Sequence, residues 1–190
     1  MDPRTWLRSA LVLAAAASLS SCAKDKPRPD EDAIAARAQA ALMPYKSALK
    51  GELTAALAKG PDAAIDVCAT RAPALAMEHS KDGVRVGRSS SKLRNPANAP
   101  ATWLVPVLDE LAKMPSGSTQ HRVVSLPDGR WGYAEPIWVQ APCLTCHGET
   151  LTPSIDAKLR ERYPADGARG FRAGDFRGVF FAEITPASGP

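Results

Sequence analysis

His121 to Gln140 reads HRVVSLPDGRWGYAEPIWVQ. Apolar and polar residues alternate from His121 to Leu126 and again from Trp131 to Gln140, with Pro127-Asp128-Gly129 between the two runs. Alternation is the period of a half-buried strand, and Asp-Gly between two such runs is a strong local signal for a hairpin. Outward from it, Gly178 to Thr185 (GVFFAEIT) predicts a last strand, and Val84-Arg85-Val86-Gly87-Arg88 predicts an earlier one. Asp32 to Lys59 is rich in strong helix formers, with Ile34, Ala38, Leu42, Leu49, Leu53 and Leu57 at helical spacing; Pro44 should kink or divide this helix. Gly60-Pro61-Asp62 stops it and starts a second helix, Pro61 to Met77, whose last turns Pro73 should shift. Trp103 to Met114 predicts a short third helix. Helices first and antiparallel strands later make an α+β domain around one central sheet.

Composition agrees with one globular unit. The chain has 190 residues, 45% apolar, 23% charged and 6% aromatic, which excludes a disordered, collagen-like or multi-span membrane protein. The length suits one domain. Lys plus Arg number 24 against 20 Asp plus Glu, a net charge of +4 scattered along the chain, so a nucleic-acid partner is not expected. No internal repeat is visible.

The N-terminus reads as an address. Arg4 and Arg8 precede an apolar run from Ala10 to Ala17, and Leu19-Ser20-Ser21-Cys22 follows. This is the pattern of a lipoprotein signal, in which the Cys22 thiol takes a lipid and becomes the new N-terminus. The apolar run is too short to span a bilayer. The expected division is a signal peptide over 1–21, a polar, proline-rich tether over 22–31 and a folded domain over 32–186. The expected location is outside the cytoplasm, on the periplasmic side of a membrane and held there through Cys22. Ala23 in place of an aspartate favours the outer membrane.

Cys143-Leu144-Thr145-Cys146-His147 carries the chemistry. Two thiols three residues apart lie on one side of a helical turn, where they can add across the two vinyl groups of one porphyrin. The adjacent His147 can then present a ring nitrogen to the iron. This is the signature of haem c attachment, and such attachment follows export, in agreement with the leader. A zinc site would need further ligands at zinc-like spacing, and there is no second Cys pair. A thioredoxin-type motif wants a βαβ context and has no use for His147.

The sixth ligand is less plain. No methionine lies downstream of the motif, which separates this chain from small electron-carrier cytochromes c, and the strand-like segment His121 to Gln140 separates it from four-helix cytochromes. The candidates are Cys68, His79, His121, Met43, Met77 and Met114. Cys68 is the one cysteine left after lipidation and haem attachment; its alternative is an inert thiol on an apolar helix face.

Three further segments carry a family resemblance: Ala64-Ile65-Asp66-Val67-Cys68 with Ala72-Pro73; Val86-Gly87-Arg88-Ser89-Ser90; and Leu93-Arg94-Asn95-Pro96-Ala97-Asn98-Ala99-Pro100. With Pro142 to Gly148, Gly170-Phe171 and Gly174 to Gly178, they resemble the PAS-like haem c family, long catalogued as a domain of unknown function. The resemblance covers nearly all of Ile34 to Thr185. It implies a PAS-like antiparallel sheet with N-terminal helices and one covalent haem c, its iron held between His147 and a cysteine thiolate that maps onto Cys68. It also implies a domain that senses redox state or a small ligand, alone or ahead of signalling modules.

Haem propionates need cationic or amide partners. Arg88, Arg94 and Asn98 are the candidates, the alternative being solvated surface groups or turn formers. Trp103, Trp131, Tyr133, Trp138, Phe171 and Phe176 either wall a porphyrin or fill the core. Two functions follow. One is a tethered haem module that responds to redox poise or a small gas and passes this to a redox or signalling partner; the other is a periplasmic electron carrier. A filled sixth position argues against an enzyme, which needs an open site and acid/base groups beside it.

Overall fold

A computed structural model of the chain describes residues 30–186. The leader and Cys22 lie outside the described residues. The order is α1 (Glu31–Leu57), α2 (Pro61–Asp66), a π-helical turn (Val67–Arg71), α3 (Ala72–Glu78), β1 (Val84–Ser89), α4 (Leu104–Leu111), β2 (Arg122–Ser125), β3 (Trp131–Trp138), α5 (Leu144–His147), α6 (Pro153–Arg162) and β4 (Phe176–Ile184).

The predicted hairpin forms β2 and β3, paired antiparallel with Val123 opposite Tyr133. At its tip the Gly129 N–H donates to the Leu126 carbonyl at 3.0 Å. Gly129 has φ +79°, a left-handed conformation that glycine adopts without strain. The four strands lie in the order β1-β4-β3-β2, every neighbour antiparallel. The α+β expectation holds.

The strand period of two then assigns the layers. Ala182 and Ile184 of β4 pack against α1 and α3 with Val84, Val86 and Tyr133. Val179 and Phe181 face α4, against Leu104, Val107, Leu108 and Leu111. Helices thus cover both faces of the sheet.

Pro44 does not divide α1, which runs unbroken for 27 residues from an Asp30 cap whose carboxylate accepts from the Asp32 N–H at 3.0 Å. A proline inside a helix costs about 3 kcal/mol. The stripe that includes Leu42, Tyr45 and Leu49 is buried against the sheet, and each such side chain contributes roughly 1.5–3 kcal/mol. The three together outweigh the proline.

Pro73 acts as expected and more strongly. It lacks an N–H, and its ring crowds the carbonyl four residues back, so the helix widens just before it. The Ala72 N–H reaches back five residues to the Val67 carbonyl, and Cys68 sits inside the resulting π-turn. Helix α6 was not expected. Only Ile155 and Leu159 of its residues are buried, so its periodicity is faint; its signal is Thr152 followed by Pro153, a cap residue and a first-turn proline.

Candidate functional site

Between α1, the π-turn, the sheet and α5 lies a cavity of about 300 Å³. Leu49, Leu53 and Leu57 of α1, Ile65 of α2, Ile137 of β3 and Leu159 of α6 form apolar walls, and Cys143, Cys146, His147 and Cys68 all line it. The Cys143-x-x-Cys146-His147 motif runs from the last residue of a 3₁₀ turn (Ala141–Cys143) through α5, with Cys143 at the α5 N-cap. Its thiols root in two different apolar clusters: Cys143 packs beside Val139, Ala168 and Phe171, and Cys146 beside Ile65, Leu159 and Tyr163. All three described cysteines are free thiols, half-buried. Burial pushes the Cys146 thiol up, so it stays protonated at neutral pH.

His147 ends α5, and the chain must leave the helix at once. Gly148 permits this: a Cβ there would stand 2.6 Å from the Leu144 carbonyl oxygen. The exit lets the Phe171 N–H donate to the His147 carbonyl at 3.0 Å, and Phe171 stands edge-on to the imidazole with ring centres 6.3 Å apart. The ring Nδ1 lies 2.8 Å from the Ala168 carbonyl oxygen. A carbonyl only accepts, so Nδ1 carries the proton and Nε2 keeps its lone pair. Burial, then the charges of Arg94 and Arg177, push the imidazole pKa down to about 3. A neutral imidazole with a fixed tautomer and a free Nε2 is the form that ligates a metal.

Arg94 fixes the loop that orients this ring. Its Nε and Nη2 each lie 3.1 Å from the Asp166 carboxylate, and Nη2 also donates to the Cys146 and Ala168 carbonyls. Burial works to raise the Asp166 carboxyl, but the Arg94 hydrogen bonds and the Ala168 N–H overcome it and hold it below the usual range. One buried ion pair thus joins the attachment turn to the carbonyl that selects the His147 tautomer. It is anchored in the Arg94-Asn95-Pro96 block, where the Leu93 carbonyl accepts from the Gly167 N–H at 2.7 Å and Asn95 caps a short 3₁₀ turn, Pro96–Asn98.

The sequence model of the family described as Tll0287-like matches residues 8–185. The chain belongs to the Tll0287-like family. Among solved structures, that of the cyanobacterial haem-protein Tll0287 matches it with a TM-score of 0.59 and 26% identity, covering 86% of this chain and 99% of that one. None of the curated proteins matches the chain. Membership agrees with the resemblance carried by the Arg94-Asn95-Pro96 block.

In this Tll0287-like chain the cavity sorts the six candidate sixth ligands. Cys68 lines it, and the other five do not. Met43 and Met77 are 62% and 75% exposed. His121 stacks on Tyr133, His79 lies beside Tyr45, and the Met114 sulfur accepts from the Ser118 hydroxyl. Arg88, Arg94 and Asn98 all line the cavity. Arg94 spends its Nε and Nη2 hydrogens on Asp166 and the backbone, so its observed work is holding the loop. Arg88 has no carboxylate partner among the described residues and lies beside the Tyr45 hydroxyl.

Of the six aromatic side chains considered from sequence, Trp138 lines the cavity and the other five do not. Tyr163 and Phe180 also line it and were missed, as was Arg177. Lys46, Lys50, Arg88, Lys92, Arg94 and Arg177 all reach the lining, and no Asp or Glu does. Lys46 is paired with Glu135 just outside it. The chemistry of this wall fits an apolar, anion-bearing group, and a haem with its two propionates is such a group.

Proposed function

We propose that the chain is an exported monohaem c-type cytochrome, tethered to a membrane through lipid on Cys22, whose six-coordinate haem responds to redox state or a small gas. The observation that carries this reading is that Cys143, Cys146, His147 and Cys68 converge on one cavity with apolar walls and a cationic lining. The described haem-protein Tll0287 and the family membership support the haem itself.

In this reading Cys143 and Cys146 would hold the haem through two thioether bonds to its vinyl carbons. His147, held by its Nδ1–H on the Ala168 carbonyl, would offer Nε2 to the iron. Cys68, carried by the π-turn, would offer its sulfur as the second ligand. Arg88 and Asn98 supply donors for the propionates, with Arg94 positioning the loop. A haem bound here supplies one-electron redox chemistry and a centre for diatomic gases. A thiolate is a strong anionic donor that favours ferric iron, so a low reduction potential is expected. With the sixth position filled by Cys68, the chain binds and senses rather than catalyses.

The test expresses the full chain with the haem c maturation machinery and compares it with Cys68→Ser. Covalent haem, a low-spin ferric EPR signal of thiolate type in the wild type and loss of that signal in the variant support the reading. Identical spectra in the two would remove Cys68 from the iron and leave a simple electron carrier.

A further inference from the structure

Arg177 occupies a built position. Along the β3–β4 ladder Ile137 pairs with Gly178 and Trp138 with Phe176, so Arg177 faces no partner and forms a β-bulge. A bulge re-aims its side chain. Gly178, at φ +145°, completes it; a Cβ there would fall 2.2 Å from the Ser89 carbonyl oxygen, so only glycine fits. The re-aimed arginine lines the cavity beside the attachment motif.

Its guanidinium is half used. Nη1 donates to the Ser90 hydroxyl at 3.0 Å and to the Lys92 carbonyl at 3.1 Å, both neutral acceptors. Among the described residues, Nε and Nη2 have no hydrogen-bond partner and no carboxylate lies within ion-pair reach. The guanidinium carbon lies over the Phe171 ring, 5.3 Å from its centre. Burial, followed by the charges of Arg94 and Arg88, brings its pKa down to about 10. A part-buried cation without a counter-ion is costly, and a fork with its Nε and Nη2 edge open matches a carboxylate held by two parallel hydrogen bonds.

We propose that Arg177 is the counter-ion of a haem propionate, gripping it through Nε and Nη2 from the β4 bulge. This rests on the haem reading above and adds a contact that reading does not contain. The consequence is electrostatic: the guanidinium neutralises the propionate beside the iron and so favours the reduced form.

The test uses the full chain matured with haem, as wild type, Arg177→Gln and Arg177→Lys. Covalent haem is quantified by the pyridine haemochrome assay, the reduction potential by spectroelectrochemistry and the propionate bending mode by resonance Raman. Arg177→Gln is expected to keep its covalent haem, to move the potential to more negative values and to shift the propionate mode. Arg177→Lys keeps the charge but not the fork, so its potential stays nearer the wild type while the propionate mode still shifts. Should Arg177→Gln fail to fold, the propionate mode of the Lys variant decides. A wild-type propionate mode in Arg177→Lys, or an unchanged potential in a haem-loaded Arg177→Gln, overturns the proposal. Wild-type protein without covalent haem overturns it together with the reading it rests on.

Discussion

Replacing Asp166 by alanine is the sharpest perturbation of the site that leaves every proposed ligand in place. The Arg94 and Asp166 side chains are 9% and 1% exposed, so the substitution strands a guanidinium in the interior. Breaking a buried pair from one side costs ~3–5 kcal/mol, whereas an exposed pair is worth less than about 1 kcal/mol. For a domain of this size each kcal/mol corresponds to roughly 2–4 °C in Tm, so the expected loss is about 6–20 °C. The site should respond as well, because Asp166 also accepts the Ala168 N–H at 3.0 Å, and Ala168 fixes the His147 tautomer. The assay is thermal and urea unfolding of the haem-loaded protein followed at the Soret band, beside Arg94→Leu and the double variant. The double variant should lose less than the sum of the singles, since removing both charges leaves neither stranded. A Tm loss under about 3 °C in Asp166→Ala, or strict additivity in the double variant, would show that the pair behaves as a surface contact and would refute this account.

Two more outcomes follow from the same geometry. Gly148→Ala places a methyl group 2.6 Å from the Leu144 carbonyl, and the backbone must move; the variant should lose about 1–3 kcal/mol in urea unfolding and yield less covalent haem, while wild-type yield and stability would contradict the packing reading. Glu183 is buried among Arg85, Arg130 and the Trp103 indole N–H; burial works to raise its carboxyl, but hydrogen bonds from Arg85 and Trp103 bring it down to about 2. Its folded-state pKa is lowered, so its contribution to stability is complete above the unfolded value of 4.5 and is lost as pH falls from there towards 2. The urea midpoint should fall across that window in the wild type and fall less steeply in Glu183→Gln; parallel profiles would contradict the assignment.

Much of the fold was legible because its signals are local. The Asp128-Gly129 turn and the alternation around it specified β2 and β3, as the helical stripe specified α1, and the Cys143-x-x-Cys146-His147 motif is five adjacent residues that need no tertiary context to be read. Helix α6 was not legible, because two buried residues in ten leave no stripe to read. Pro44 does not divide α1 for the opposite reason: its penalty is local, and the burial that overrides it is not.

The site divides along the same line. Sequence alone supplied the Cys143-x-x-Cys146-His147 pattern on which the haem c proposal rests, because its five residues are adjacent in the chain. It also left six side chains as candidates for the sixth ligand and three as propionate partners. The family resemblance singled out Cys68; only the tertiary structure shows which of the candidates line one cavity: it brings Cys68 there from 75 residues upstream of Cys143, turns Arg94 inward onto Asp166, and adds Arg177 through a bulge. Those placements depend on which segments of the chain pack together, and whether a guanidinium is spent on the protein or left open to the cavity is set by the carboxylate that folding places beside it.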